Sequence, residues 1–365
     1  MRMKKISFST ASLAVLSTFS FSLSAPTGAW SWDQFGKYRL NSHSVLTGSA
    51  IEGANSELRS KHGAAIEAWL KDLDQRPVTG PVPKNFDMSI KTLKGGFYSS
   101  DDLDDSTLLT SNRVQLGNTA ADYPYRLNLP ESSKSDLFKF YCRVWSDHLG
   151  IDLHTSTCEN FNPTGMGMPV HFLRTYQETG GVPPVRLDSA RRSCDKAVGI
   201  VKEFTGRAWK EWLNGTNAAG RSEALRAYEL MYFSLGVAAH AIEDSFTPAH
   251  TQRSVQDPRV IEDLCYYYDN KLLPPAVAGA CVHLVGLNAD PRDSIYFKGN
   301  AAYPGTAEPA KLAAKAAQAY LTMFGSLALD EIKGGGGSLD EAMEEFLIKG
   351  RGEGQGYFDC STLSK

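Results

Sequence analysis

The stretch His240-Ala-Ile-Glu-Asp244-Ser-Phe-Thr-Pro248-Ala-His250-Thr251 places three metal-ligand side chains within eleven residues. His240 and Asp244 are four apart, so on a helix they project from one face. Pro248 cannot continue that helix, because it has no N–H and its ring clashes with the preceding turn. The chain must bend there, and the bend can swing His250 back toward the His/Asp pair. Two imidazoles and a carboxylate converging in this way suit zinc, which takes histidine nitrogen at roughly 2.0–2.1 Å and carboxylate oxygen at similar range. The run before the motif, Leu225 to Ile242, is rich in Leu, Met, Tyr, Phe and Ala. It reads as a buried helix, and ionisable groups at the end of a buried helix need partners for their charge.

Working outward, residues 187–213 read as a long helix through Ala197, Ile200, Val201, Phe204, Ala208, Trp209 and Trp212. Ser222 is placed to N-cap the next helix, which runs to about Phe246. Residues 41–72, 136–150, 258–273, 308–332 and 338–349 carry further helical spacing. Gly334-Gly-Gly-Gly337 reads as a flexible joint. Residues 76–135, rich in Pro, Gly, Ser and Asp, read as irregular chain with one short helix. The acidic run Asp101-Asp102-Leu-Asp104-Asp105 lacks EF-hand spacing and reads as a solvated loop or a helix N-terminus. Strand signals are weak and there is no internal repeat. The expected class is all-α, a multi-helix bundle with long decorated loops.

Arg2, Lys4 and Lys5 precede an apolar, Ser-diluted run from Leu13 to Leu23, and Thr27-Gly28-Ala29 offers small residues for cleavage. Residues 1–29 therefore read as a signal peptide, leading to a secreted or periplasmic product. Cleavage removes three cations and no acidic group, so the mature chain is more negative than the formal −3 of the whole. That balance carries no basic footprint for sequence-independent nucleic-acid binding. None of the six cysteines forms a CxxC pair. In an exported chain an even count points to disulfides, with Cys142/Cys158 and Cys265/Cys281 as candidate local loops.

Of the remaining histidines, two stand out. His43 ends the segment Trp30-Ser-Trp-Asp-Gln-Phe-Gly-Lys-Tyr-Arg-Leu-Asn-Ser-His43. Cleavage after Ala29 would give Trp30 a free α-amine that can chelate a metal together with its own carbonyl. His171 follows a Gly/Pro/Met-rich bend. Asp122, in Gly117-Asn-Thr-Ala-Ala-Asp122-Tyr-Pro, places a carboxylate at an element end, where composition alone favours a turn aspartate.

These residues, in this order, resemble the bacterial zinc-dependent phospholipase C family, whose fold the S1/P1 nucleases share. The resemblance rests on Trp30…Asn41-Ser-His43, Ala120-Ala-Asp122-Tyr, His171-Phe172 and His240-x3-Asp244-x5-His250. It implies an all-α domain over residues 30–333, with 76–135 as a loop-rich insertion and 334–365 as joint and tail. It also implies up to three zinc ions. Asp122, His171, His240 and Asp244 would surround one, and His250 would anchor a second. Trp30 and His43 would hold the third, and Asp122 would orient or deprotonate the attacking water. The family closes its second site with His-x3-Glu after the counterpart of His250, and this chain has no histidine there before His283. Glu262 is the candidate substitute, with Asp257, Asp263 and His283 as alternatives. His148 and His154 compete for the place of His171. The implied activity is hydrolysis of the glycerol-side phosphodiester of phosphatidylcholine by a monomer acting on a phospholipid surface. Tyr123, Tyr125 and Phe172 are candidates to face a choline. The alternatives are a single-strand nuclease of the same fold and a non-catalytic secreted zinc-binding protein.

Overall fold

The computed structural model describes residues 42–80, 113–121, 170–174, 176–177, 186–248, 250–254, 256–268, 282–284, 309–349 and 357–363. Six α-helices make up most of these: α1 (Ser42–Gln75), α2 (Arg113–Ala121), α3 (Ala190–Asn217), α4 (Arg221–Asp244), α5 (Pro309–Ile332) and α6 (Leu339–Glu344). The all-α expectation holds at that level.

α4 is the central element. Beyond its first turn it is apolar nearly all round, from Ala224 and Leu225 through Tyr228, Met231, Tyr232 and Leu235 to Ile242, and these side chains are buried. A helix with no polar face has to be surrounded. α3 covers one side with a regular stripe, Ala190, Cys194, Ala197, Val201, Phe204, Ala208, Trp212 and Gly215. Its N-terminus is capped by Ser189, whose side chain accepts from the Arg192 N–H. Trp69 of α1, Trp212 of α3 and Tyr228 of α4 form an aromatic cluster, and the Trp69 indole donates to the Tyr228 hydroxyl at 2.9 Å. α1 packs along α5 and touches α4, and it is kinked at His62 (φ −129°, ψ 19°).

α2 crosses α4 at backbone contact. A Cβ on Gly117 would lie 2.0 Å from the Phe233 carbonyl oxygen, and one on Gly236 would lie 1.9 Å from that of Val114. Glycine at both points is what lets the two helices meet this closely. An Arg113–Glu229 ion pair of 2.6 Å, largely out of solvent, fastens the start of α2 to α4.

Several local expectations are revised. Ser222 is not the cap. Gly220 holds that position without a side-chain bond, and Ser222 Oγ donates instead to the Gly80 carbonyl at 3.0 Å. Residues 258–273, expected as helix, contain two strands. β3 (Thr251–Arg253) pairs antiparallel with β4 (Ile261–Leu264), and β5 (Tyr266–Tyr268) pairs in parallel with β6 (Val282–Leu284). Val260-Ile261 and the three tyrosines favour extended chain, and pairing with β3 outweighs a weak helical spacing. Earlier in the chain, β1 (Tyr176–Gln177) and β2 (Arg186–Leu187) form a further two-residue antiparallel pair.

The chain beyond Gly334 also belongs to the core. Gly334 itself is left-handed (φ 76°), and its N–H and that of Gly335 bond back to Glu331 and Asp330, a helix stop rather than a slack joint. Met343, Phe346, Leu347, Phe358, Cys360 and Leu363 lie in the same buried cluster as α3 and α4. A Cys194–Cys360 disulfide fixes this segment to α3. Cys265 is also disulfide-bonded, while Cys142, Cys158 and Cys281 lie outside the described residues. No helix among the described residues is long and apolar enough to cross a membrane.

The glycine crossing makes a direct prediction. Gly236→Ala places a methyl against carbonyl backbone that cannot rotate away. It should cost at least about 1–3 kcal/mol, the usual range for overpacking. Gly199→Ala, whose Cβ meets nothing within 4 Å, should be neutral or slightly stabilising. Denaturant unfolding of the two variants checks this.

Candidate functional site

α4 ends at Asp244, and the chain then turns as the proline requires. Phe246 and Thr247 N–H groups bond to Glu243 and Asp244, and His250 N–H bonds to the Thr247 carbonyl at 2.9 Å. β3 then leaves antiparallel to β4, with the Cys265 N–H on the His250 carbonyl at 2.7 Å. Arg253 holds this corner closed. Its guanidinium lies 3.9 Å from the centre of the Phe246 ring and donates to the carbonyls of Ser245, Pro258 and Tyr357.

The corner brings His250 Nδ1 to 3.3 Å from Asp244 Oδ2. His240, one turn earlier on α4, places Nε2 3.1 Å from the same oxygen. His171 reaches Oδ2 as well, through Nδ1, and lies 3.0 Å from His240 Nε2. It is delivered by a turn after Val170, and the next residue, Phe172, adopts a positive φ of 51° that bulky residues rarely take. His43, from the first turn of α1, approaches the other oxygen, Nε2 to Oδ1 at 3.0 Å. Four imidazoles from three distant parts of the chain therefore surround one carboxylate. His43, His240 and Asp244 are out of solvent, and His171 and His250 form the slightly exposed edge, at 9% and 8%.

Two overlapping groups have the proximity that a cation needs. His43, His240 and Asp244 form one, and His171, Asp244 and His250 the other, with ligand atoms within 4.8 Å of one another. Imidazole nitrogen with carboxylate oxygen is a zinc-type donor set, and the buried His/Asp groups can hold a metal ion.

The cluster contains five of the residues expected from sequence: His43, His171, His240, Asp244 and His250. His43 lies with His240 and Asp244, and His171 lies with His250 and Asp244 while also standing 3.0 Å from His240. Trp30, Asp122, His148 and His154 lie outside the described residues. Glu262 is not brought in. It is exposed on β4, where Ile261 and Leu264 take the inward positions. Asp257 pairs with Arg259 and Asp263 with Arg174, and His283 sits on β6 opposite Tyr267. Phe172 cannot face a choline, because it is fully buried and stacked on Phe358 with centroids 5.3 Å apart.

One participant went unread in the sequence. Glu243, fully buried, faces His43 from the side opposite Asp244. Its Oε2 accepts from His43 Nδ1 at 2.7 Å and from Asn118 Nδ2 at 3.1 Å, and its Oε1 accepts from Thr47 Oγ1 at 2.8 Å. The available signal was an acidic pair, Glu243-Asp244, ending a helix too apolar to leave either charge in water.

The electrostatics follow from this packing. Burial alone would favour a neutral His43 ring, but Asp244 and Glu243 on its two nitrogens outweigh that and raise its pKa from 6.5 to about 10. Burial would push the Asp244 carboxyl up, yet the four imidazoles, His250 and His240 foremost, hold it well below the usual carboxylate range.

Comparison with protein-family models, with curated proteins and with solved structures finds no match for this chain.

The shifts define how the protein responds to pH when no cation occupies the cluster. A raised histidine stabilises the fold fully below 6.5 and loses that contribution as pH climbs toward about 10. A depressed carboxyl contributes above 3.8 and loses its contribution as pH falls below that value. Chelator-treated protein should be most heat-stable between these limits and decline steadily from pH 6.5 to 10, as read by thermal melts across pH. A flat profile from pH 6.5 to 10 would contradict the assignment for His43.

Proposed function

We propose that this chain is a zinc-dependent phosphodiester hydrolase of the phospholipase C type. It would cleave the glycerol-side phosphodiester of phosphatidylcholine to diacylglycerol and phosphorylated headgroup. The observation that carries the reading is the convergence of His43, His171, His240 and His250 on one buried carboxylate. The resemblance in motif order supports it.

The residues would divide the work as follows. His43 and His240, with Asp244, would hold one cation, and His171 and His250, with the same aspartate, a second. Asp244 supplies negative charge to both groups. The deep pair, His43 and His240, keeps water away from one side, while His171 and His250 at the exposed edge mark the side from which a phosphate would approach. The chemistry such cations supply when bound is a water pKa lowered toward ~7 and charge neutralisation on the phosphate and leaving oxygens. Clustering these ligands out of bulk water strengthens their field at the reacting phosphate.

Purified protein should release phosphorylcholine from phosphatidylcholine vesicles. A chelator should abolish the release and zinc should restore it. Asp244→Asn should lower kcat/KM by more than about 100-fold, the upper end of what losing a mere outer partner of a ligand costs. Digestion of single-stranded DNA without lipid turnover would replace this reading with the nuclease one. Tight zinc binding without turnover of either substrate would leave a metal-binding protein.

A further inference from the structure

Glu243 belongs to neither ligand group, yet it holds one nitrogen of His43. It is a fully buried carboxylate directly preceding the shared ligand Asp244, and two other helices send polar groups to it. His43 and Thr47, one turn apart on α1, and Asn118 of α2 all donate to it, at 2.7, 2.8 and 3.1 Å. A buried carboxylate is costly unless such donors surround it. This one also does something that none of its other partners can do. An imidazole has two nitrogens, and whichever one gives its hydrogen to a fixed acceptor leaves the other free as a ligand. With its Nδ1–H on Glu243, the His43 ring has its other nitrogen, Nε2, turned toward Asp244 Oδ1 at 3.0 Å.

The helix geometry explains how consecutive residues can do this. Side chains at successive positions of a helix diverge by about 100°, so Glu243 and Asp244 cannot point the same way. The His43 ring fills the gap between them and touches one with each nitrogen. The close α2–α4 crossing at Gly117 and Gly236 brings Asn118 to the second lone pair of Oε2. The glutamate is thereby oriented from its far side.

We propose that Glu243 is a positioning residue for the metal centre, accepting the Nδ1–H of His43 so that Nε2 is the nitrogen offered to the cation. This rests on reading the cluster as a metal site. Its role is distinct from that of the ligands. It would not touch the cation, and its loss would weaken binding in the group containing His43 and His240 while sparing the group containing His171 and His250.

The test uses the full chain, stripped and then titrated with Zn²⁺ alone against a chromophoric chelator. Glu243→Gln keeps an oxygen for His43 and lets Thr47 turn its hydroxyl to accept from the new amide, so shape survives and charge is lost. Glu243→Ala removes both. Outer carboxylate partners of ligating histidines are worth about 10–100-fold in metal affinity. One binding step should therefore weaken about tenfold in the Gln variant and about 100-fold in the Ala variant, with the other step unchanged. Nitrogen-15 histidine spectra of the zinc-loaded wild type should show His43 protonated at Nδ1. This readout remains decisive if Glu243→Ala does not fold. Wild-type affinity at both steps in the Gln variant, or a His43 ring protonated at Nε2 in the loaded protein, would overturn the role of Glu243 and leave the metal reading standing. Failure of the wild type to bind zinc at all would overturn both.

Discussion

The carboxylate of Asp244 is the constraint around which the rest is arranged. It sits at the end of the most buried of the described helices, where an isolated charge would be prohibitive. Four imidazoles meet it, and they come from positions 43, 171, 240 and 250. Each arrives by a different structural device. For His43 it is the first turn of α1, and for His171 a turn next to a residue of positive φ. His240 lies on the same helix face as the aspartate, and His250 follows the proline-enforced corner. The bundle can be understood as the scaffold that lets these routes end at one point. α4 needs cover on all sides because it is apolar nearly all round, and of the helices that cover it α1 carries His43 and α2 carries Asn118.

The corner after α4 depends on groups far from it in sequence. Arg253 neutralises the carbonyls left open at the helix end and stacks on Phe246, and it also reaches Tyr357. That segment is held by the disulfide to α3 and by the pairing of Asp359 beside Val260. The loop that delivers His250 is thus braced from behind by chain more than a hundred residues downstream, which bears on the precision with which a short loop can place a ligand.

How much of this was legible beforehand follows from the range of the interactions. The His240–Asp244–His250 set could be read because it is local: helix periodicity and one proline place it without reference to anything else. The helices α3, α4 and α5 could be read because their apolar stripes repeat. His43 and His171 stood out by their sequence context but were joined to this set only through a resemblance in motif order, since periodicity cannot show that a residue 200 positions away folds back onto an aspartate. Glu243 was missed because a glutamate beside a ligand reads as a solvated charge until the helix around it is known to be buried. The strands β3 and β4 were missed because three or four residues carry too few alternations to register, and their pairing is set by the corner that the sequence only hinted at. Glu262 looked suitable by position, but the register of β3 on β4 skips it, pairing Gln252 with Asp263 and Arg253 with Ile261, and it is left exposed at this irregularity.

The long reach of these contacts also bears on time. His43 and Glu243 are joined across 200 residues, and His171 meets Asp244 across 73. Bringing such segments together costs chain entropy well before any contact rewards it, so the ring of imidazoles belongs among the late events of folding. In a small zinc finger the ion recruits its ligands from a disordered peptide and folds them. Here a bundle of helices must exist before the donors share a neighbourhood. A cation would enter a cradle already built, and its arrival would lock the finished molecule rather than start it.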